Sequence, residues 1–296
     1  MPVSEIHSDP RQQKALLSRR GFLRGSAAAA ATVIAGAGAY TRWVEPHWVG
    51  VTEVPMRFPA LPESLVGKRL AQISDLHVGP VVDDAYLRRA MRQVRDLAPD
   101  YLAITGDLMT TEGTEQIGKT LSVLKELPLA TTHTVAITGN HDYGLGYRRR
   151  DVAEGLLEGM RRLGIHALRN ESVEIDGLQL AGCGDLWGDD CNMWRTLDRV
   201  DATRPAVCLA HNPDVADLHG WGRFRGWVLS GHTHGGQCRF PGIGAPLLPI
   251  RNRSYDQGHI ALADGRDLYV NRGLGYSHKL RFRAPPEITL FTLQRA

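Results

Sequence analysis

Short apolar runs, each closed by a cluster of polar residues, recur along this chain. Residues 69–74, 101–106, 134–138, 206–210 and 226–230 are five such runs, of strand length and rich in Leu, Val, Ile and Ala. Among the first of them, apolar positions recur at helical spacing. Leu87, Met91, Val94 and Leu97 share one face of a helix over 86–97, and 120–127 and 152–163 repeat the period. The second half carries hairpin signals: 174–180 and 262–268 place Asp176-Gly177 and Asp264-Gly265 between apolar stretches. Early strand–helix–strand units followed by antiparallel strands predict an α/β fold, with two sheets packed together and flanked by helices. The roughly 250 residues that follow the N-terminal region suffice for one large domain with a substantial core.

The polar clusters that end these runs hold carboxylates, imidazoles and one amide. Asp75 and His77 follow the first run, Asp107 the second, Asn140, His141 and Asp142 the third, His211 the fourth, His232 and His234 the fifth. These are oxygen and nitrogen donors suited to borderline divalent metals. At an extended strand exit, residues i and i+2 point the same way, so Asp75/His77 and His232/His234 can each reach one ion. A carboxylate has two oxygens and an imidazole cannot bridge, which makes Asp107 the bridging candidate. Two divalent ions against Asp75, Asp107 and one hydroxide leave a net positive site, which attracts a phosphoryl group; a shared water would be the nucleophile. His141 is left over as a general acid for the leaving oxygen, with Asp142 to orient it. A single His or Asp at a strand end is ordinarily a cap or a solvated turn residue. Five clusters, each behind its own apolar run, are not explained that way. No Cys-x-x-Cys pair is present, which argues against a structural zinc site.

The series Asp75-x-His77, Gly106-Asp107, Gly139-Asn140-His141-Asp142, His211 and Gly231-His232-Thr233-His234 resembles the signature of calcineurin-like metallophosphoesterases, from about Lys68 to Leu293. The resemblance implies a four-layer α/β/β/α sandwich of two mixed sheets. It implies that Asp75, His77, Asp107 and His234 bind one metal, that Asp107, Asn140, His211 and His232 bind the other, and that His141 is the acid. The two divalent ions would be Mn, Fe or Zn. Gly184-Asp185-Leu186-Trp187, Ala210-His211-Asn212-Pro213-Asp214, Gly231 to Gln237 and Asn271-Arg272-Gly273-Leu274-Gly275 resemble the bacterial exported phosphodiesterase subfamily of YaeI type. Relatives there include enzymes that cleave the pyrophosphate of UDP-2,3-diacylglucosamine in lipid A synthesis.

Ser18-Arg19-Arg20-Gly21-Phe22-Leu23-Arg24, followed by an Ala/Gly-rich run to Ala39, resembles a twin-arginine export signal. The apolar run falls short of the roughly 20 residues a membrane span needs and is weakly hydrophobic. The expected organisation is therefore a signal or anchor over 1–40, a linker wrapping the domain over 41–67, and a catalytic domain over 68–296. The expected partners are the twin-arginine export machinery and a peripheral membrane contact; the expected place is the periplasm or the outer face of the cytoplasmic membrane. The leader also accounts for the charge. Residues 1–24 hold five cations and two acids, which equals the +3 of the whole chain, so the remainder is formally neutral. The basic balance is no evidence for nucleic-acid binding.

The four cysteines form no dense framework, although an oxidising destination permits a Cys183–Cys191 bridge. Arg148-Arg149-Arg150 is a solvated helix start or a phosphate contact. Arg272 is a candidate for substrate phosphate, with a structural ion pair as the alternative. The Gly/Pro-rich loop 235–250, with Phe240, Ile243, Leu247, Leu248 and Ile250, follows the last His cluster and should overhang the site, where it either admits a lipid tail, touches a membrane or packs as core. Trp43 and Trp48 suit a membrane interface or a structural role. The leading expectation is a hydrolase of phosphodiester or pyrophosphate bonds acting on a phosphate ester that is lipid-linked or a nucleotide sugar. The alternatives are a phosphomonoesterase of the same fold and a non-catalytic metal-binding envelope protein.

Overall fold

The computed structural model describes residues 19–296. It divides into two units, one ending at Tyr40 and one spanning Thr41–Ala296. In the first, Arg19–Ala39 form α1, none of whose residues is buried. Residues 1–18, the start of the expected signal or anchor, with Arg11 and Lys14, lie outside the described residues.

The second unit holds twelve strands: β1 (Gly50–Phe58), β2 (Arg69–Ile73), β3 (Tyr101–Thr105), β4 (His133–Ile137), β5 (His166–Ala167), β6 (Glu171–Ile175), β7 (Leu178–Gly182), β8 (Ala206–Leu209), β9 (Trp227–Ser230), β10 (Gly258–Ala261), β11 (Asp267–Val270) and β12 (Glu287–Arg295). They form two six-stranded sheets, ordered β1-β12-β2-β3-β4-β5 and β10-β11-β9-β8-β7-β6. Its helices are α2 (Asp84–Asp96), α3 (Ile117–Leu124), α4 (Arg150–Arg162) and α5 (Met193–Leu197).

The predicted helix 86–97 begins two residues early because Asp83 caps it: its side chain accepts from Tyr86 N at 2.7 Å. The helix turns Tyr86, Leu87, Ala90, Met91 and Val94 inward. With α3 and α4 it covers the outer face of the first sheet through a core that includes Ile73, Ile104, Leu156 and Met160. A second core, with Met56, Leu70, Val135, Leu180, Leu209 and Leu229, fills the space between the sheets. A third, under α5 and its neighbouring loops, includes Met193, Cys208, Trp221 and Val228. Each such Leu or Val contributes ~1.5–3 kcal/mol of burial. The layers are helix, sheet, sheet, and a thinner layer of helix and loop, as the α/β/β/α sandwich requires.

Two expectations are corrected. The segment 41–67 is more than a wrapping linker: β1 pairs in parallel with β12 along nine residues, Gly50↔Glu287 to Phe58↔Arg295. Pro55 interrupts the strand pattern in sequence, but an edge strand tolerates it because one row of N–H groups needs no partner. In the second sheet the antiparallel pairs β6·β7 and β10·β11 occupy only the edges, while β7, β8, β9 and β11 run parallel. The hairpin turns were legible locally; the parallel pairing joins segments far apart in sequence.

In the first sheet β2, β3 and β4 are also parallel, with Ile73 opposite Ile104 and Ile104 opposite Ala136. Their carboxyl ends line up, as do those of β8 and β9 in the second sheet. Ligand groups gather outside such ends, and each predicted cluster follows one of them.

Candidate metal centre

Asp75, His77, Asp107, Asn140, His211, His232 and His234 are all buried. Their donor atoms converge in overlapping groups: Asp75/His77/His234, His77/Asp107/His141 and Asp107/His211/His232. Asp107 belongs to two of these groups, the position expected of a bridging carboxylate. Its Oδ2 lies 3.1 Å from His211 Nε2 and 3.7 Å from His77 Nε2, while its Oδ1 accepts from His141 N at 2.9 Å.

The local backbone differs from the extended strand exits expected. Asp75, His77, Asp107, His232 and His234 have φ of 53°, 51°, 52°, 71° and 51°, all in the left-handed region. Each such residue costs about 1–2 kcal/mol. The loops after β2 and β3 run side by side and hold one another: Asp75 N donates to Gly106 O, His77 N to Asp107 O and Val78 N to Leu108 O, at 2.9–3.0 Å. Glycine is required where carboxylates press on backbone. A Cβ at Gly139 would collide with Asp107 Oδ1, and one at Gly231 with Ser74 Oγ and Asp75 Oδ2.

Hydrogen bonds select which imidazole nitrogen faces inward. His77 Nδ1 meets Thr110 Oγ1 at 2.8 Å, His211 Nδ1 meets Thr105 O at 2.8 Å, and His232 Nε2 meets Pro249 O at 3.0 Å. A carbonyl only accepts, so His211 donates through Nδ1 and His232 through Nε2. His77 Nε2 then faces His234 Nε2 at 3.0 Å, and His211 Nε2 faces His232 Nδ1 at 3.2 Å. Burial pushes His77 and His232 down to about 3, and His234 well below its usual value, so these rings stay neutral. His232, which donates through Nε2, presents the lone pair of Nδ1 to His211 Nε2, a contact that needs a proton or a metal ion between the two nitrogens. Burial also opposes charge on His211, yet Asp107 and Asp75 push it up to about 10, so the carboxylates call for positive charge here. Burial, with Asp107 nearby, raises Asp75 to about 6. Asn140 Oδ1 is buried with no hydrogen-bond partner. An orphaned amide oxygen beside converging imidazoles and carboxylates fits two divalent cations.

The remaining predicted residues divide. His141 is partly exposed, packs edge-on against His77 at 4.9 Å and lines the mouth. Asp142 does not orient it. Both Asp142 oxygens are taken by backbone N–H groups of Leu108, Met109 and Gly139, at 3.2, 2.9 and 2.9 Å, which tie the Asp107 loop to the Asn140 turn. Arg272 is also corrected. Its Nε donates to Pro285 O at 3.0 Å and lies 3.3 Å from Glu287, the ion-pair alternative, and it does not line the pocket. Of the arginine triplet, Arg149 pairs with Asp151 and Arg150 donates to Asp189 O; neither reaches the pocket. The four cysteines are free thiols, and neighbouring Cys191, together with burial, pushes the Cys183 thiol well above its usual value.

A cavity of about 440 Å³ opens over the centre, walled by Tyr147 and Trp187 on one part and Leu247, Leu248 and Pro249 on another, with Gln237, Ser277 and His278. Trp187 stands edge-on to His232 at 4.6 Å, and Tyr147 to His141 at 5.2 Å. Tyr147 had one sequence signal, the Gly144/Gly146 pair just before it. Arg281 had none, since it reads as one of several solvated cations. It is fully buried, donates to the carbonyls of Ala284, Arg272, Gly273 and Gly275, and lies 3.5 Å from His234 Nδ1.

The family model described as calcineurin-like phosphoesterase matches residues 68–236. The chain belongs to this family. It is 32% identical to the uncharacterized metallophosphoesterase YkuE of Bacillus subtilis over 94% of this chain and 98% of that one. It is 30% identical to phosphodiesterase YaeI of Escherichia coli, over 94% and 100%. It is 29% identical to UDP-2,3-diacylglucosamine pyrophosphatase LpxG of Chlamydia muridarum, over 83% and 90%. Several subfamilies are thus similar to comparable degrees. This calcineurin-like phosphoesterase is a metal-dependent hydrolase, with two His/Asp clusters consistent with a dinuclear divalent-metal site.

Proposed function

We propose that this enzyme cleaves phosphodiester or pyrophosphate bonds, with His141 donating the proton to the leaving oxygen. The observation that carries this reading is the make-up of the mouth. Among the described residues lining it there is no Arg or Lys. A dianionic monoester would want such cations; a singly charged diester, or an anhydride with each phosphorus esterified, does not. Two divalent ions would be held by Asp75, His77, Asp107 and His234 and by Asp107, Asn140, His211 and His232. They would supply Lewis acidity for the phosphoryl group and for the attacking water. Asp107 couples the two halves, and its Oδ1 receives His141 N, so the same carboxylate sets the height of the acid. The two relatives named for a phosphodiesterase and a pyrophosphatase activity support a substrate of this class. The leucine wall leaves room for an apolar portion of the substrate. Arg19 and Arg20 and the apolar helix behind them support export to the outer face of the cytoplasmic membrane.

The test is a substrate panel with the Mn, Fe or Zn content measured. A bis-ester and a nucleotide-sugar pyrophosphate should be turned over faster than the matched monoester. His141→Ala should lower kcat by about 10²–10⁴-fold on alkyl leaving groups, and far less on nitrophenolate, which needs no proton. Preference for the monoester sinks the substrate reading; equal losses on both leaving groups sink the role of His141.

A further inference from the structure

We propose that one face of the Thr41–Ala296 unit, built from residues 41–44, 237–253 and 277–284, is a docking surface for an anionic lipid bilayer, and that the catalytic mouth opens on it.

Three stretches distant in sequence are laced together there by backbone. Arg281 N donates to Thr41 O at 3.0 Å and Arg42 reaches Lys279 O at 3.2 Å. Phe282 N donates to Gln237 O and Arg239 N to Phe282 O, both at 2.8 Å. Gln237 Nε2 donates to His278 O and Leu280 O. The rings of Phe240 and Phe282 lie 5.9 Å apart.

The patch exposes large apolar side chains that a water-facing loop has no use for: Trp43 is 65% exposed, Val44 48%, Phe240 45%, Ile243 74%, Leu247 80% and Leu280 42%. Ile243 sits at the tip of a tight turn in which Phe240 N donates to Gly244 O and Gly244 N to Phe240 O. The turn is thus rigid, and its apolar tip is presented rather than frayed.

Charge identifies the occupant. The three stretches carry Arg42, Arg239, Arg251, Arg253, Lys279, Arg281 and Arg283 and no Asp or Glu. Arg281 is buried, and Arg239 pairs with Asp256 from outside the patch. Of the others, Arg253 donates to Ala245 O and Pro246 O, next to the Ile243 turn and Leu247, and Arg42, Arg251, Arg253 and Arg283 are exposed. The next acid, Glu45, is buried and accepts from Ala284 N. Asp214, which accepts from Arg251 N and Asn252 N, and Asp217, which accepts from Asn252 Nδ2, also border residues 251–253, so cations are in excess without being alone. Apolar tips beside a net excess of cations are what an interface of acyl chains beneath anionic headgroups selects. The residues 41–44 of the patch also lie within a helical stretch, Arg19–His47, which, unlike the shorter apolar run read from the sequence, is long and apolar enough by length and composition to cross a membrane. Leu247, Leu248, Ser277 and His278 belong both to these stretches and to the pocket lining, so the bilayer surface and the mouth are continuous. Docking there would let a lipid-borne phosphate ester reach the centre without leaving the bilayer. The docking itself does not depend on which bond is cleaved.

The test is hydrogen exchange on the full chain, reconstituted in vesicles of phosphatidylcholine alone or mixed with phosphatidylglycerol. Protein floated with each vesicle type is compared at equal bound fraction, so a difference reads this face. Peptides covering 239–248 and 277–283 should exchange at least about fivefold more slowly on the anionic vesicles, an effect reversed by high salt, with 198–205 unchanged. The variant F240S/I243S should lose that slowing while keeping its turnover of a soluble bis-ester, which shows that it is folded. Equal exchange on both vesicle types, or slowing that persists in F240S/I243S, overturns the proposal. So does protection that requires an added protein whatever the lipid, which would assign the face to a protein partner.

Discussion

At the scale of single residues, chemistry is concentrated in atoms with no ordinary partner. Asn140 Oδ1 is orphaned, His232 Nδ1 presents a lone pair to His211 Nε2 at 3.2 Å, and Asp107 reaches imidazoles of both groups. Asp107→Asn removes a charge at nearly constant shape. Metal bound per chain should fall from two towards one or none by elemental analysis, with turnover reduced by at least about a hundredfold. Two retained metals and full turnover would show that the bridge lies elsewhere. The identities and order of these converging donor residues were legible in sequence because metal chemistry restricts the donor types. Their conformation was not. A left-handed φ at Asp75, His77, Asp107, His232 and His234 has no signature in non-glycine residues, and the cost is met only by contacts made after folding. The assignments of Asp142 and Arg272 failed for a related reason: a polar side chain near a site in sequence serves whichever partner packing brings closest, here three backbone N–H groups and Glu287.

At the scale of elements, the loops after the strands are held by polar clasps remote from the centre. Asp190 accepts from Arg169 Nε at 2.5 Å and from the Tyr143 hydroxyl at 2.7 Å, joining the 184–192 loop, which carries Trp187, to the Asn140 turn. Burial opposes its ionisation, but Arg169 and Tyr143 outweigh it and hold the carboxyl below its usual value. A depressed folded pKa means the contribution to stability is fully present above the ordinary aspartate value of about 4. It is lost as pH falls through the folded value. Acid unfolding of the native protein should therefore steepen below about pH 4. Asp190→Asn should be less stable at neutral pH and lose that part of the acid dependence, read by thermal melts across pH; an unchanged profile would discount the clasp. The leader calls for a different measurement. Arg19→Lys together with Arg20→Lys should retain the protein inside the cytoplasm, seen by protease protection in intact and lysed spheroplasts; unchanged export would remove the twin-arginine reading.

At the scale of the whole molecule, two sheets present the carboxyl ends of β2, β3, β4, β8 and β9 to one region, and the metals would cross-link loops drawn from both. Binding to the folded state alone stabilises it in proportion to ln(1 + [L]/Kd), about 2.7 kcal/mol at a hundredfold excess over Kd. Chelation should therefore lower Tm by several degrees for a domain of this size, restored by adding back Mn or Zn; no shift would mean that the loops are set without metal. The local pattern alone determined the strand runs, the amphipathic faces of α2 and α4, the two Asp-Gly hairpins and the donor set, because hydrophobic period, turn chemistry and ligand type act over a few residues. Tertiary structure decided the rest. The pairing of β1 with β12, the parallel centre of the second sheet, the burial of Arg281 and the union of 41–44, 237–253 and 277–284 into one face all join residues far apart along the chain. Such contacts depend on how separate surfaces fit, and that information resides in no single stretch of sequence.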